Sequence, residues 1–124
     1  MTITRMCGYQ CKIESVANLR EHWAKKAKRV KLHRQLTQVA LAPIVPLTER
    51  GNAIPCCVTL VRISPHKLDS DNLQSAFKAV RDQVAAWLTM DDNDPRITWR
   101  YHQEKGRPKE QAVKIKISAR IGLK

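Results

Sequence analysis

From Val16 to Ala42 apolar side chains recur in three- and four-residue steps, at Val16, Leu19, Trp23, Ala27 and Val30, which predicts a helix. Its other faces carry Arg20, Lys25, Lys26, Lys28, Arg29, Lys31 and Arg34, and Pro43 and Pro46 end it. Before it, residues 2–13 read as a first strand. After it, residues 47–54 (LTERGNAI) read as a loop around Arg50-Gly51-Asn52. Cys56, Val58 and Leu60 then alternate with Cys57, Thr59 and Val61; apolar side chains on both faces predict an interior strand, interrupted at Pro65. A second helix is predicted from Asp71 to about Leu88, with Leu73, Phe77, Val80, Val84 and Trp87 on one face. Ile97, Trp99 and Tyr101 alternate with Thr98, Arg100 and His102, a strand with one buried face. Residues 104–109 read as a hairpin loop leading to a last strand, in which Val113, Ile115, Ile117 and Ala119 face inward and Lys114, Lys116 and Arg120 outward. Trp23, Trp87 and Trp99 fall on apolar faces and are expected in the core. The order strand, helix, strand, helix, strand, strand predicts one α+β domain over residues 1–124, a mixed β-sheet packed with two main helices.

Composition changes this picture little; charge changes it a great deal. Lys and Arg number 23 against 11 acids, a formal charge of +12. Such an excess favours a polyanionic partner, because contacts with phosphates release counterions and steer association. No apolar run reaches the length of a membrane span, and the N-terminal MTITRMCGYQCKIES lacks the apolar core of a signal peptide, so the expectation is a cytoplasmic protein without a membrane partner. Cys7, Cys11, Cys56 and Cys57 form no C-x-x-C pair and are expected as free thiols. His22, His33, His66 and His102 are scattered, and only His66, three residues before Asp69, suggests a phosphate contact.

The acids are unevenly placed. All six aspartates lie between Asp69 and Asp94, while all five glutamates lie outside that window. Nine of the basic residues precede position 35 and nine follow position 95. Carboxylates at a phosphate-binding surface repel the ligand unless a hard divalent cation lies between them and it. Asp69 and Asp71, one residue apart at a strand-to-helix junction, are the first candidate ligands. Asp91, Asp92 and Asp94 follow the second helix, whose length on its own would carry them about 25 Å away. The site then closes only if the helix breaks, if the DDNDP loop returns, or if a dimer mate supplies the acid. Structural roles compete with each assignment. Asp71-Asn72-Leu73-Gln74 matches a capping box with Asp71 as N-cap, Asp69 can favour the same helix terminus, and Asp91 to Asp94 suit a turn. Lys67, Lys78 and Arg81 are the local cations able to neutralise charge on a reacting phosphate.

Leu68-Asp69-Ser70-Asp71-Asn72-Leu73-Gln74, an apolar-faced helix ending at Trp87-Leu88, and then Asp91-Asp92 resemble the RusA family of Holliday junction resolvases, in its phage-borne branch. The likeness is tight over residues 67–92 and looser over 93–121, and Asn18 to Trp23 also looks like that branch. It implies a RusA-like fold and a homodimer that binds four-way DNA junctions and nicks opposing strands with Mg²⁺ and no organic cofactor. By position it makes Asp69, Asp71 and Asp92 catalytic metal ligands, with Asp91 or Asp94 as stand-ins. The family's lysine falls on Ser75 here, which leaves Lys78 or Lys67 as the basic helper. Arg20, Lys25, Lys26, Lys28, Arg29, Lys67 and Arg81 are the expected DNA contacts. A non-catalytic DNA-binding accessory protein, or a structure-selective nuclease without junction preference, is the competing expectation.

Overall fold

Apolar side chains on both faces of residues 56–64 demand neighbours on both sides, and that requirement organises the sheet. The computed structural model describes residues 2–13, 23–44, 48–49 and 52–120. They form β1 (Thr2–Gln10), α1 (Trp23–Leu41), β2 (Thr48–Glu49), β3 (Asn52–Ala53), β4 (Cys56–Ser64), α2 (Ser70–Ala76), α3 (Lys78–Trp87), β5 (Ile97–Lys105) and β6 (Ala112–Arg120). The main sheet has the order β1-β6-β4-β5, and β2 and β3 pair separately. β4 is antiparallel to β6 on one side and parallel to β5 on the other, as an α+β domain with a mixed sheet requires. Parallel pairing needs a crossover, and α2 and α3 supply it.

The register sorts the inward residues into rows. Cys56, Ile97 and Ala119 share one row, Val58, Trp99 and Ile117 the next, then Leu60, Tyr101 and Ile115. These rows are buried or half-buried and pack against Leu73, Phe77, Val80 and Val84 of the helices, which cover this one face. The opposite face carries Thr98, Arg100 and His102 in exposed positions, as the alternation predicts. β1, at one edge, approaches β6 so closely that a Cβ on Gly8 would stand 2.7 Å from the Val113 carbonyl oxygen, so only glycine fits there.

Four details depart from the sequence reading. First, residues 104–109 do not make a hairpin: β5 runs to Lys105, and β6 lies beyond β4, not beside β5. β4, apolar on both faces, takes the central slot between them. Second, the second helix is two helices meeting at Phe77, whose backbone lies at φ −90°, ψ 4°. Third, the packing face of α1 is not the one through Trp23 and Ala27: Trp23 is 75% exposed, and the buried positions are His33, Thr37 and Leu41. Two of those are polar and tolerate burial because they are hydrogen-bonded. The Thr37 hydroxyl donates to the His33 carbonyl at 2.8 Å and meets the Tyr9 hydroxyl at 2.8 Å, and His33 Nδ1 pairs with Cys11 Sγ at 3.8 Å. Val16, Leu19 and Arg20 of the expected helix lie outside the described residues. Fourth, α2 starts two residues earlier than the capping box supposed, so the N-cap is Asp69 and not Asp71. Among the described residues no helix is long and apolar enough to cross a membrane, and no disulfide joins Cys7, Cys11, Cys56 or Cys57.

Candidate functional site

β4 ends at Ser64, and the chain turns through Pro65 to Leu68 before entering α2. Asp69 stands at that entry in extended backbone, φ −64°, ψ 156°, and its carbonyl accepts the Leu73 amide at 2.8 Å. Its carboxylate caps nothing. Asp71 lies in the first turn of α2. Both side chains are exposed and neither makes a hydrogen bond or ion pair among the described residues. Only Asp69 is extended, so the mutual orientation of the two follows from the strand-to-helix bend.

The other four aspartates are engaged. Asp82 receives the Lys78 ammonium at 2.8 Å, one helical turn away. Asp91 Oδ1 accepts the Asn93 amide at 3.0 Å, as an Asx turn does. Asp94 accepts the Arg96 amide at 2.9 Å and the Arg96 guanidinium at 2.8 Å, which holds its carboxyl down at about 2. Asp92 accepts Arg81 Nε at 3.2 Å and lies 3.6 Å from Lys78 Nζ. Desolvation pushes the Asp92 carboxyl up, but Lys78, a hydrogen bond with Asp91 and Arg81 outweigh it and hold it below the ordinary carboxylate range.

The loop after α3 does return, but it brings Asp92 to Lys78 and Arg81 and not into one cluster with Asp69 and Asp71. The chain reverses at the end of α3 through a C-terminal motif in which Met90 N–H donates to Ala85 O and Thr89 N–H to Ala86 O, both at 3.0 Å. Thr89 holds the left-handed position of that motif at φ 59°. Asp92 thereby comes back alongside the first turns of α3. Its carbonyl accepts Arg81 Nη2 at 3.1 Å and Trp99 Nε1 at 2.8 Å, which fixes the loop to both helix and sheet. Arg81 is locked further by the Tyr101 hydroxyl at 2.9 Å and by stacking 4.7 Å above the Trp99 ring. Its guanidinium, expected on DNA, is therefore occupied with holding Asp92.

An open cleft of about 510 Å³ lies between α1 and the α2–α3 pair. Lys26 and Arg29 of α1 form one wall; Gln74, Ser75, Lys78 and Arg81 form the other, with Asp92 and Tyr101 beside them. Asp71 is three and four residues before Gln74 and Ser75 on α2, so it shares their side of the helix without itself lining the cleft. Lys25 and Lys28 are exposed but do not line it, and Lys67 is exposed on the turn before α2. Arg20 lies outside the described residues. Ser75, where the resemblance calls for a lysine, faces the cleft, and Lys78 enters it one turn later.

Among the described residues no three His, Cys, Asp or Glu side chains come together as a metal site. What suits a hard cation is the chemistry of the donors: two exposed carboxylates with no protein partner, which leave room for water and phosphate oxygens. Asp92 can join them only by leaving Lys78 and Arg81.

Two side chains that the sequence reading passed over shape the approach to Asp69. Gln103 of β5 receives the Leu68 amide at 2.9 Å and donates to the Leu68 carbonyl at 2.8 Å. Arg62 of β4, buried and desolvated so that its guanidinium falls below its ordinary value, donates to the carbonyls of Ile13 and His66. An arginine in the inward register of an otherwise apolar strand was the available signal. No protein-family model matches the chain, and no curated protein matches it either.

Proposed function

We propose that the chain is a Mg²⁺-dependent endodeoxyribonuclease that binds four-way DNA junctions as a homodimer and nicks opposing strands. The observation that carries this reading is the pair of unpartnered, exposed carboxylates of Asp69 and Asp71 at the start of α2, the helix whose Gln74 and Ser75 line a lysine- and arginine-walled cleft, in a chain of charge +12. Four of six aspartates have local partners, three of them cations; these two have none. Exposed acids without partners in a strongly basic surface are explained by a cation that joins them to phosphate. The sequence likeness to RusA resolvases falls on the same residues.

Mg²⁺ held by Asp69 and Asp71 would supply Lewis-acid activation of the scissile phosphodiester. Lys26 and Arg29 bind the flanking phosphates from the α1 wall, as sequence-independent backbone contacts. Lys78, largely exposed and with its pKa raised by Asp82 and Asp92, stays protonated and faces the negative charge that grows on the phosphate. Arg81 holds Asp92 at the cleft beside Lys78, and Asp92 completes the metal site on leaving these two cations. A two-fold dimer places two equal sites on paired strands of a pseudo-symmetric junction.

A second reading, a DNA-binding accessory protein without catalysis, draws on the ion pairs that keep Asp92 from the other two acids. One assay separates the two: a labelled four-way junction and a matched linear duplex, each incubated with the protein in Mg²⁺ and in EDTA. Paired nicks on the junction alone, and only with metal, are expected. Junction binding with no cutting at any metal concentration supports the accessory protein. Equal cutting of both substrates removes the junction preference.

A further inference from the structure

Asp69 has no side chain anchoring it, so its position depends on the backbone that carries it. That backbone is held from the sheet. The side-chain amide of Gln103 takes both polar groups of Leu68, accepting its N–H at 2.9 Å and donating to its carbonyl at 2.8 Å. This reproduces a strand-like pair of hydrogen bonds at a residue that belongs to no strand. Gln103 is itself oriented by Arg62, its register partner across β4 and β5, whose Nη1 lies 3.4 Å from Gln103 Oε1. The acceptor side of the amide is thereby assigned: the oxygen faces two donors, Leu68 N–H and Arg62, and the nitrogen faces the Leu68 carbonyl. Arg62 also donates to the His66 carbonyl within the same turn and, at 3.0 Å, to the Ile13 carbonyl beyond β1.

Arg62 is 5% exposed, and no carboxylate reaches it among the described residues. A buried guanidinium satisfied only by carbonyl and amide oxygens is costly to keep for packing alone, since an apolar side chain would suit this inward row better. Its three acceptors belong to the turn before α2, to the strand behind it and to the segment after β1. The arrangement makes sense as a brace on the turn.

We propose that Gln103, oriented by Arg62, is a positioning residue that fixes the Leu68–Asp69 backbone so that the Asp69 and Asp71 carboxylates meet one divalent cation. This rests on the reading of Asp69 and Asp71 as metal ligands. Supporting groups of this kind typically change metal affinity 10- to 100-fold when removed.

The test uses the full chain, Mn²⁺ as the probe, and Gln103→Met, which keeps side-chain length but loses both hydrogen bonds. Mn²⁺ affinity is read by electron paramagnetic resonance, and exchange of the Leu68 amide by NMR. Expected is a loss of Leu68 amide protection together with roughly tenfold weaker Mn²⁺ binding, while affinity for four-way junction DNA in EDTA is unchanged. Gln103→Glu, which still accepts from Leu68 N–H and Arg62 but cannot donate to the Leu68 carbonyl, should fall between the two. Lost Leu68 protection with unaltered Mn²⁺ affinity overturns the positioning role and leaves the metal reading standing. A wild-type chain that binds no Mn²⁺ at Asp69 and Asp71 overturns both.

Discussion

At the start of α2 the carboxylates of Asp69 and Asp71 are exposed and meet no partner, whereas beyond the end of α3 those of Asp91, Asp92 and Asp94 each accept a hydrogen bond. The two groups use the same residue type within one short stretch of chain. One builds a loop and fastens it to helix and sheet. The other is left with its charge unspent on structure. The difference teaches that a dense run of acids is not itself a site; what distinguishes a candidate ligand is a carboxylate the fold leaves without a partner.

The comparison breaks most visibly at the catalytic step. Asp71→Asn should lower junction cutting about a hundredfold or more, the scale seen when one group stabilising a developing charge is removed, and should leave junction binding in EDTA intact. Asp94→Asn should cut at close to the wild-type rate, because Asp94 serves only its turn with Arg96. Equal losses in a gel-based nicking assay would erase the contrast between the two regions.

Asp92 lies between these cases, and its brace is the next target. Arg81→Met removes bonds to Asp92 and Tyr101 and the stacking on Trp99. It should destabilise the fold by about 2 kcal/mol, as expected for charge-assisted hydrogen bonds in a half-buried setting. Urea unfolding measures this directly, and a change below the error of the fit would show that the loop stands without its anchor.

Removing Lys26 and Arg29 together should weaken junction binding and reduce the slope of log affinity against log salt by about 2, one for each phosphate no longer neutralised. Identical slopes for the double alanine variant and wild type would move the DNA off the cleft.

Smaller effects follow from strain and titration. Thr89 is a β-branched residue at φ 59°, so Thr89→Gly should raise stability by about 1 kcal/mol. Asp92 and Asp94 both have folded pKa values below the ordinary carboxylate value. Each therefore stabilises the fold above that value and loses its contribution as pH falls through its folded pKa, which for Asp94 is about 2. Melting temperature should decline between pH 4 and pH 2, and less steeply in Asp94→Asn. The effect of Asp94 is small, because its pair with Arg96 lies at the surface.

Periodicity made most of the fold legible. The alternation at Cys56–Val61, Ile97–His102 and Val113–Arg120 located three strands and their inward faces, and the double-faced apolar pattern marked β4 as interior. It did not reveal which strands neighbour one another, because two strands of like pattern separated by a short loop look like a hairpin whether or not a third intervenes. The face of α1 was misread because His33 and Thr37 are buried by virtue of hydrogen bonds, which hydropathy does not encode. At the site, spacing singled out Asp69 and Asp71, but not that Asp92 would be drawn back to Lys78 and Arg81. That approach depends on the bend at Phe77 and the reversal at Thr89, neither of which a glycine or proline announces. Gln103 was invisible for a related reason, since it bonds the backbone of Leu68, far away in sequence, whereas Arg62 stood out only as a charge on an inward position.

The central claim is that Asp69 and Asp71 hold one divalent cation, and diffraction from crystals soaked in Mn²⁺, measured at the manganese edge, tests it most directly. The account predicts an anomalous peak within about 2.1–2.3 Å of an oxygen from each of the two carboxylates, the coordination distance of hard divalent ions of this size. A peak confined to Asp91 and Asp94, or no peak at a saturating Mn²⁺ concentration, would contradict it.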